Sequence, residues 1–336
     1  IPGNGIDEDG FAGDLKLVPL PEARPETHVT ADGRNIVLVI MESTRADAVG
    51  KMLDGKQVAP NLDAIAAEGL LFTPSFSHVG FTTDSLKSIF TGRLVPKPGD
   101  PSLFSELKRS GFRVGVFSAQ TEDFGDIAAT VNMHENADTY VDAEVLKDKR
   151  SFGFAAKGSL RIDESHVVHA LEAYLKADGS AGRSNFIYVN LQSPHFPYNH
   201  PGMPLRFTPT AIPRDQISST NREWTQRNYW NAVANSDAWL GEIVSLLKRQ
   251  GLWDKTLLLV SGDHGESLFE DGFLGHGHII NTRQFATFLV SNQKSVRATA
   301  PLAISDYRNV ILNWLTGESL PVPAALRRAS ALALAS

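Results

Sequence analysis

Cysteine is missing from all 336 positions of the chain, which excludes a disulfide framework and thiolate ligation of a metal. Any bound cation must therefore rest on carboxylate, hydroxyl or imidazole groups. Long apolar runs are missing as well: none approaches the roughly 18 to 20 consecutive residues that cross a bilayer, and no secretory leader pattern is found. Nor is there a basic cluster. Lys and Arg number 32 against 38 Asp and Glu, a formal net charge of −6, and without a concentrated cationic face the chain is not expected to bind nucleic acid.

The composition that remains, 42% hydrophobic and 21% charged, suffices for a substantial core in one large domain or two smaller ones. Residues 1–34 are rich in Pro, Gly and acidic side chains and follow neither a helical nor a strand period. They read as a linker or a juxtamembrane segment trimmed from something longer. Residues 35–317 are expected to form the ordered domain, and residues 318–336, with Pro321, Pro323 and an alanine-rich end, a small C-terminal extension that is a short helix or frayed.

Residues 35–41, Asn-Ile-Val-Leu-Val-Ile-Met, form a continuous β-branched and apolar run, the pattern of a strand buried on both faces in a parallel sheet. Residues 113–117, 185–191 and 256–261 repeat it, and 285–290 is a weaker case. Helical spacing fills the gaps. Leu62, Ile65 and Ala66 precede Gly69, and Leu103, Phe104 and Leu107 run towards Gly111, each glycine suited to a left-handed cap ahead of a strand. Val167, Val168, Leu171 and Leu175 make a further stripe, and a long one from Tyr229 to Leu247 ends at Gly251. The alternation predicts an α/β fold, a mostly parallel central sheet sandwiched between helices. Residues 194–227 show little periodicity and are expected to be a functional loop or rim.

In such sheets ligands gather beyond the carboxyl ends of the strands. The first strand delivers Glu42-Ser43-Thr44-Arg45-Ala46-Asp47; the third long run delivers Ser193-Pro194-His195-Phe196-Pro197-Tyr198; the fourth delivers Asp263-His264-Gly265-Glu266, followed by Gly275-His276-Gly277-His278. Phe81-Thr82-Thr83-Asp84-Ser85 sits where a helix opens. This segment and Ser261-Gly262-Asp263-His264-Gly265-Glu266 look like the two halves of one metal site with a hydroxyl nucleophile in it.

These segments, in this order, resemble the sulfatase-type domains of the alkaline phosphatase superfamily, and within it the lipoteichoic acid synthases and phosphoethanolamine transferases. The likeness runs from about residue 35 to about residue 290. It implies that Glu42, Thr82, Asp263 and His264 bind metal and that Thr82 is also the nucleophile. It implies too that His195 and His276 hold the substrate phosphate, with His278 competing for the second place. Arg45 either joins them or pairs with an acid such as Asp47. Glu266 is expected to support a ligand rather than to be one. Trp224, Tyr229 and Trp230 are expected to pack in the core rather than to line an acceptor groove. The chain departs from the sulfatase pattern in carrying Thr82 where sulfatases have the cysteine or serine converted to formylglycine, a conversion threonine cannot undergo.

A threonine hydroxyl is a poor nucleophile near neutral pH, and coordination to a divalent cation is one of the few ways to activate it. Two carboxylates, an imidazole and an alkoxide suit zinc or manganese ahead of magnesium or calcium. The resemblance implies transfer of phosphoethanolamine or phosphoglycerol from a phospholipid or other phosphodiester donor to a glycan or lipid acceptor. It also implies a cell-envelope location, periplasmic or extracellular, with membrane contact through an upstream segment. A hydrolase of the same superfamily (phosphodiesterase, phosphonate esterase or atypical sulfatase) is the second expectation, and a catalytically silent binding domain the third.

Overall fold

All seven residues of β1 (Asn35–Met41) are buried, and their alternation divides the molecule into layers. Val37, Val39 and Met41 face one core cluster, Ile36, Leu38 and Ile40 the other. Complete burial of one such aliphatic side chain stabilises the fold by about 1.5–3 kcal/mol, so this strand alone anchors both faces. The computed structural model describes residues 29–151, 162–177, 182–296, 298 and 301–317.

Among the described residues, β1 belongs to an eight-stranded sheet with β2 (Leu70–Phe76), β3 (Arg113–Ser118), β4 (Thr139–Val141), β5 (Asn185–Leu191), β6 (Thr256–Ser261), β7 (Ala286–Ser291) and β8 (Leu302–Ala303). The spatial order is β8-β2-β7-β6-β1-β5-β3-β4. β1 lies between β5 and β6, parallel to both, with Met41 opposite Leu191 and Ile40 opposite Ser261. The weak fifth run is a strand, but β7 runs antiparallel to both of its neighbours, β6 and β2. β2 consequently points the same way as β1.

Helices cover both faces, as the alternating pattern predicts. α1 (Pro60–Glu68), α4 (Glu164–Lys176) and α5 (Arg222–Arg249) pack on the Val37 side; α2 (Thr82–Thr91), α3 (Leu103–Arg109) and α6 (Tyr307–Thr316) pack on the Ile36 side. The result is the alkaline phosphatase-like α/β sandwich that the sequence suggests. A bidentate ion pair between Arg308 of α6 and Glu106 of α3, with Nε–Oε2 at 2.8 Å and Nη2–Oε1 at 2.5 Å, ties two helices of one layer together in a buried setting.

Gly111 adopts the left-handed conformation expected after α3 (φ +90°), whereas Gly69 after α1 does not, its φ being −111°. Glycine is needed there for a different reason: a Cβ would lie 1.9 Å from the Ser291 carbonyl oxygen of β7. Of the segment 1–34 only residues 29–34 are described, and Arg34 bonds the carbonyls of Trp314 (2.9 Å) and Leu315 (2.7 Å) at the end of α6. The tail 318–336 lies outside the described residues.

Candidate active site

The four residues expected to converge do so at the carboxyl edge of the sheet. Glu42 follows β1, Asp263 and His264 follow β6, and Thr82 is the first residue of α2, reached by the chain after β2. Thr82 Oγ1 donates to Glu42 Oε1 at 3.0 Å and lies 3.1 Å from His264 Nε2. Ligand atoms of Glu42, Asp263 and His264 all lie within 4.8 Å of one another, and the three residues are buried.

Local backbone chemistry builds this convergence. Ser43 takes a positive φ of 55°, so the chain turns sharply as it leaves β1, and its N–H donates to Asp263 Oδ1 at 2.9 Å. The same oxygen accepts the His264 N–H at 3.0 Å. Tyr229 of α5 closes the turn: its hydroxyl donates to the Ser43 carbonyl at 2.8 Å and accepts the Arg45 N–H at 3.0 Å. Gly262 lets the two strand ends meet, because a Cβ there would sit 2.3 Å from the Thr44 carbonyl oxygen.

The protonation pattern calls for a cation. His264 Nδ1 lies 2.8 Å from the Gly265 carbonyl oxygen, which can only accept, so Nδ1 carries the proton. Burial pushes the imidazole pKa below its ordinary value, so the ring is neutral and Nε2 presents a lone pair. That lone pair is 3.3 Å from Asp263 Oδ2, a carboxylate oxygen that is buried with no hydrogen-bond partner. Two electron-rich atoms held face to face without a proton between them are the arrangement a metal ion resolves, and a buried orphan acceptor is otherwise costly. The residues present therefore fit a divalent cation, with carboxylate and imidazole donors appropriate to zinc or manganese.

His195 and His276 complete the site. His195 donates Nδ1–H to the Phe196 carbonyl (3.0 Å), and its Nε2 is 3.7 Å from Glu42 Oε1. His276 donates Nδ1–H to Glu266 Oε2 at 2.6 Å, and the other Glu266 oxygen accepts the Tyr198 hydroxyl at 2.5 Å. The His276 ring centroid is 4.2 Å from that of His264 and 5.7 Å from that of His195. All three histidines thus fix Nδ1 on an acceptor, the tautomer control expected of ligating and substrate-binding imidazoles. Burial opposes charge on His276, but the Glu266 carboxylate outweighs it and raises the pKa to about 9.

Thr82, Glu42, His195 and His276 line one cavity of about 210 Å³. His278 is exposed and does not line it, whereas His276 does. Arg45 is placed elsewhere. Its guanidinium pairs with Asp47 at 2.8 and 3.0 Å and with Glu270 at 2.5 Å, and it lines a separate cavity beside Asp47, Thr282 and Arg283. The segment 194–227 is a rim in its first part, carrying His195 and the buried Tyr198, and becomes α5 from Arg222. Trp230 and Tyr229 are core residues, as expected, whereas Trp224, near the start of α5, is only half-buried and donates its Nε1–H to the Thr210 carbonyl at 3.0 Å. The sequence reading missed Gln120, Thr121, Gln192 and Phe124 in the cavity wall. Gln120 and Thr121 follow β3 by two and three residues, the position where a search of strand ends finds them.

Fold and site together define an α/β sandwich whose sheet edge gathers a threonine hydroxyl, two carboxylates and an imidazole, a set that fits a divalent cation. Residues 34–290 match the sulfatase family, and the chain belongs to that family. Among curated proteins it is 22% identical over 262 residues to the ulvan-active sulfatase of Formosa agariphila, a match covering 70% of this chain and 51% of that protein. It is 23% identical over 267 residues to the lipoteichoic acid synthase of Staphylococcus aureus, covering 72% and 38%. The chain thus spans about half of the first relative's length and 38% of the second's. Among solved structures, the lipoteichoic acid synthase LtaP of Listeria monocytogenes superposes with a TM-score of 0.65 at 17% identity, covering 84% of this chain and 72% of that one. The zinc complex of the periplasmic domain of EptC from Escherichia coli superposes with a TM-score of 0.63 at 16% identity, covering 88% and 87%. At such identities these likenesses establish the fold.

Proposed function

We propose that the chain is a metal-dependent phospho-headgroup transferase. It would move phosphoethanolamine or phosphoglycerol from a phospholipid to an envelope glycan or lipid, with Thr82 as nucleophile. The observation that carries this reading is the position of Thr82 Oγ1, 3.0 Å from Glu42 Oε1 and 3.1 Å from His264 Nε2, on the wall of the cavity that a substrate would enter. Glu42, Asp263, His264 and Thr82 would hold the cation. When bound, it supplies Lewis-acid activation of the hydroxyl and neutralises charge on phosphoryl oxygens. Glu42 is placed to receive the Thr82 proton, and His195 and His276 to hydrogen-bond the phosphoryl oxygens as charge develops on them. The opening of α2 at Thr82 adds backbone N–H groups aimed at an anion.

The reaction follows in two stages. Thr82 Oγ1 forms a bond to phosphorus as the bond to the departing alcohol breaks, leaving the headgroup phosphate on Thr82. An acceptor hydroxyl then reverses the step. The zinc complex of the structurally similar EptC domain supports zinc as the cation, and the lipoteichoic acid synthase likeness supports an extracytoplasmic, membrane-associated setting. Thr82→Ala should fold normally, lose about a thousandfold or more of turnover, and show no covalent headgroup phosphate by mass spectrometry of acid-quenched protein. Retention of most activity removes Thr82 from the chemistry. The similarity to an ulvan-active sulfatase favours a second reading, a hydrolase with water as acceptor, which predicts full turnover with no acceptor added.

A further inference from the structure

Beyond the metal ligands and the two histidines, the cavity wall holds two polar atoms that the fold leaves without a partner, Gln120 Nε2 and Thr121 Oγ1. Both side chains belong to residues only 5% exposed, so water does not compensate them as it would on a surface. The Gln120 amide is not turned at random. Its Oε1 accepts Gln192 Nε2 at 3.1 Å, and its backbone N–H is held by Ser118 Oγ at 3.1 Å, which leaves Nε2 as the side-chain atom of Gln120 without a partner. Phe81 and Phe124, 39% and 40% exposed, line the same cavity and offer apolar faces.

The chemistry of these atoms selects among headgroups. An amide nitrogen is a donor only, so Gln120 Nε2 needs an acceptor; a hydroxyl supplies one, an ammonium cannot. The one carboxylate among the described lining residues is Glu42, placed in the candidate metal site, so no further carboxylate among them would neutralise a cationic group. Such a group would enter with its charge desolvated and Gln120 still unsatisfied, the kind of mismatch that enforces specificity.

The geometry points to a headgroup pocket in which Gln120 Nε2 and Thr121 Oγ1 hydrogen-bond an uncharged, hydroxyl-bearing group esterified to the phosphoryl centre, a polyol such as glycerol or a sugar, while Phe81 and Phe124 pack its C–H faces. Ammonium-bearing headgroups are disfavoured. This rests on the reading of Thr82 as the residue that receives the phosphoryl group.

Calorimetric titration of the zinc-supplemented chain with sn-glycerol 1-phosphate, glucose 1-phosphate, phosphoethanolamine and inorganic phosphate tests it without requiring turnover. At least one polyol phosphate should bind about fivefold or more tightly than phosphoethanolamine, and which of the two does so separates glycerol from sugar. Thr121→Val, which deletes one oxygen from a side chain of nearly the same shape, and Gln120→Met should each erase most of that preference and leave inorganic phosphate within about twofold. Thr121→Val carries the test if Gln120→Met fails to fold. Equal binding of all headgroups, a preference for phosphoethanolamine, or variants that weaken every probe alike would overturn the assignment. Failure of the transferase reading looks different: release of nitrophenol from a p-nitrophenyl phosphodiester would be indifferent to Thr82→Ala, while the binding preference stood.

Discussion

Glu266 holds His276 through a 2.6 Å contact to Nδ1, and the carboxylate is itself fully buried. Because the charged pair raises the folded-state pKa to about 9, its stabilisation is complete below the ordinary histidine value of 6.5 and is lost as pH rises through about 9. The same proton makes His276 a cationic hydrogen-bond donor. Glu266→Gln should therefore shift the alkaline limb of kcat/KM to lower pH by about one unit or more. A pH–rate profile that keeps its alkaline limb in the variant would show that His276 does not control it.

Asp263 should behave oppositely with and without metal. Asp263→Asn keeps the oxygen that accepts the Ser43 and His264 N–H groups and puts an amide N–H where Oδ2 faces the His264 lone pair at 3.3 Å. The metal-free variant should be as stable as the wild type or more so, by about 1–2 kcal/mol. It should also lose most of the rise in Tm that zinc gives the wild type. Thermal scans with a chelator and with added zinc check both halves, and an equal zinc-induced rise in the variant would exclude Asp263 as a ligand.

Tyr229 does not line the cavity, yet its hydroxyl holds the turn that follows Glu42. Tyr229→Phe leaves the Ser43 carbonyl and the Arg45 N–H without the bonds recorded at 2.8 and 3.0 Å. The expected cost is about 1–2 kcal/mol of stability, with metal affinity weakened about tenfold as for other supporting groups. Denaturant titration and competitive zinc titration measure the two separately.

Glu122 follows Gln120 and Thr121 in the same loop and is fully buried, accepting Ser118 Oγ at 2.6 Å and Tyr188 OH at 3.1 Å on one oxygen. Burial raises its pKa from 4.5 to about 7. Below 4.5 both folded and unfolded chains hold the proton. Between 4.5 and about 7 only the folded chain does, so stability falls across that window and then levels off. Glu122→Gln should flatten this component, on the order of 2 kcal/mol between pH 5 and pH 8. Parallel pH–stability curves for the two proteins would rule it out.

The sequence reveals the strands that bury both faces, because an uninterrupted β-branched run has few other uses: β1, β5 and β6 appear in the structure with the bounds read from the residues. β2 escapes notice because Pro74 lies inside it, and proline argues against a strand interior. The structure accommodates it beside a register shift between Thr287 and Leu289 of β7. The direction of β7 is equally hidden, since side-chain alternation is the same for either sense of pairing. Glu42, Thr82, Asp263 and His264 are legible because each ends or opens an element at the same edge. Gln120 and Thr121 are not, because an uncharged side chain looks alike in a loop and in a pocket until its partners can be counted. Arg45 shows the converse: a cation at a strand end looks like an anion binder until Asp47 and Glu270 are seen to engage it.

β1 lies at the centre of the sheet, yet its neighbour β6 enters the sequence more than two hundred residues later, and Ser43 meets Asp263 across a separation of 220 positions. A nascent chain therefore possesses Glu42 and Thr82 long before it possesses their counterparts. A ribosome-bound fragment ending before β6 lacks Asp263 and His264, so the candidate cation site is complete only once β6 has been made and paired beside β1.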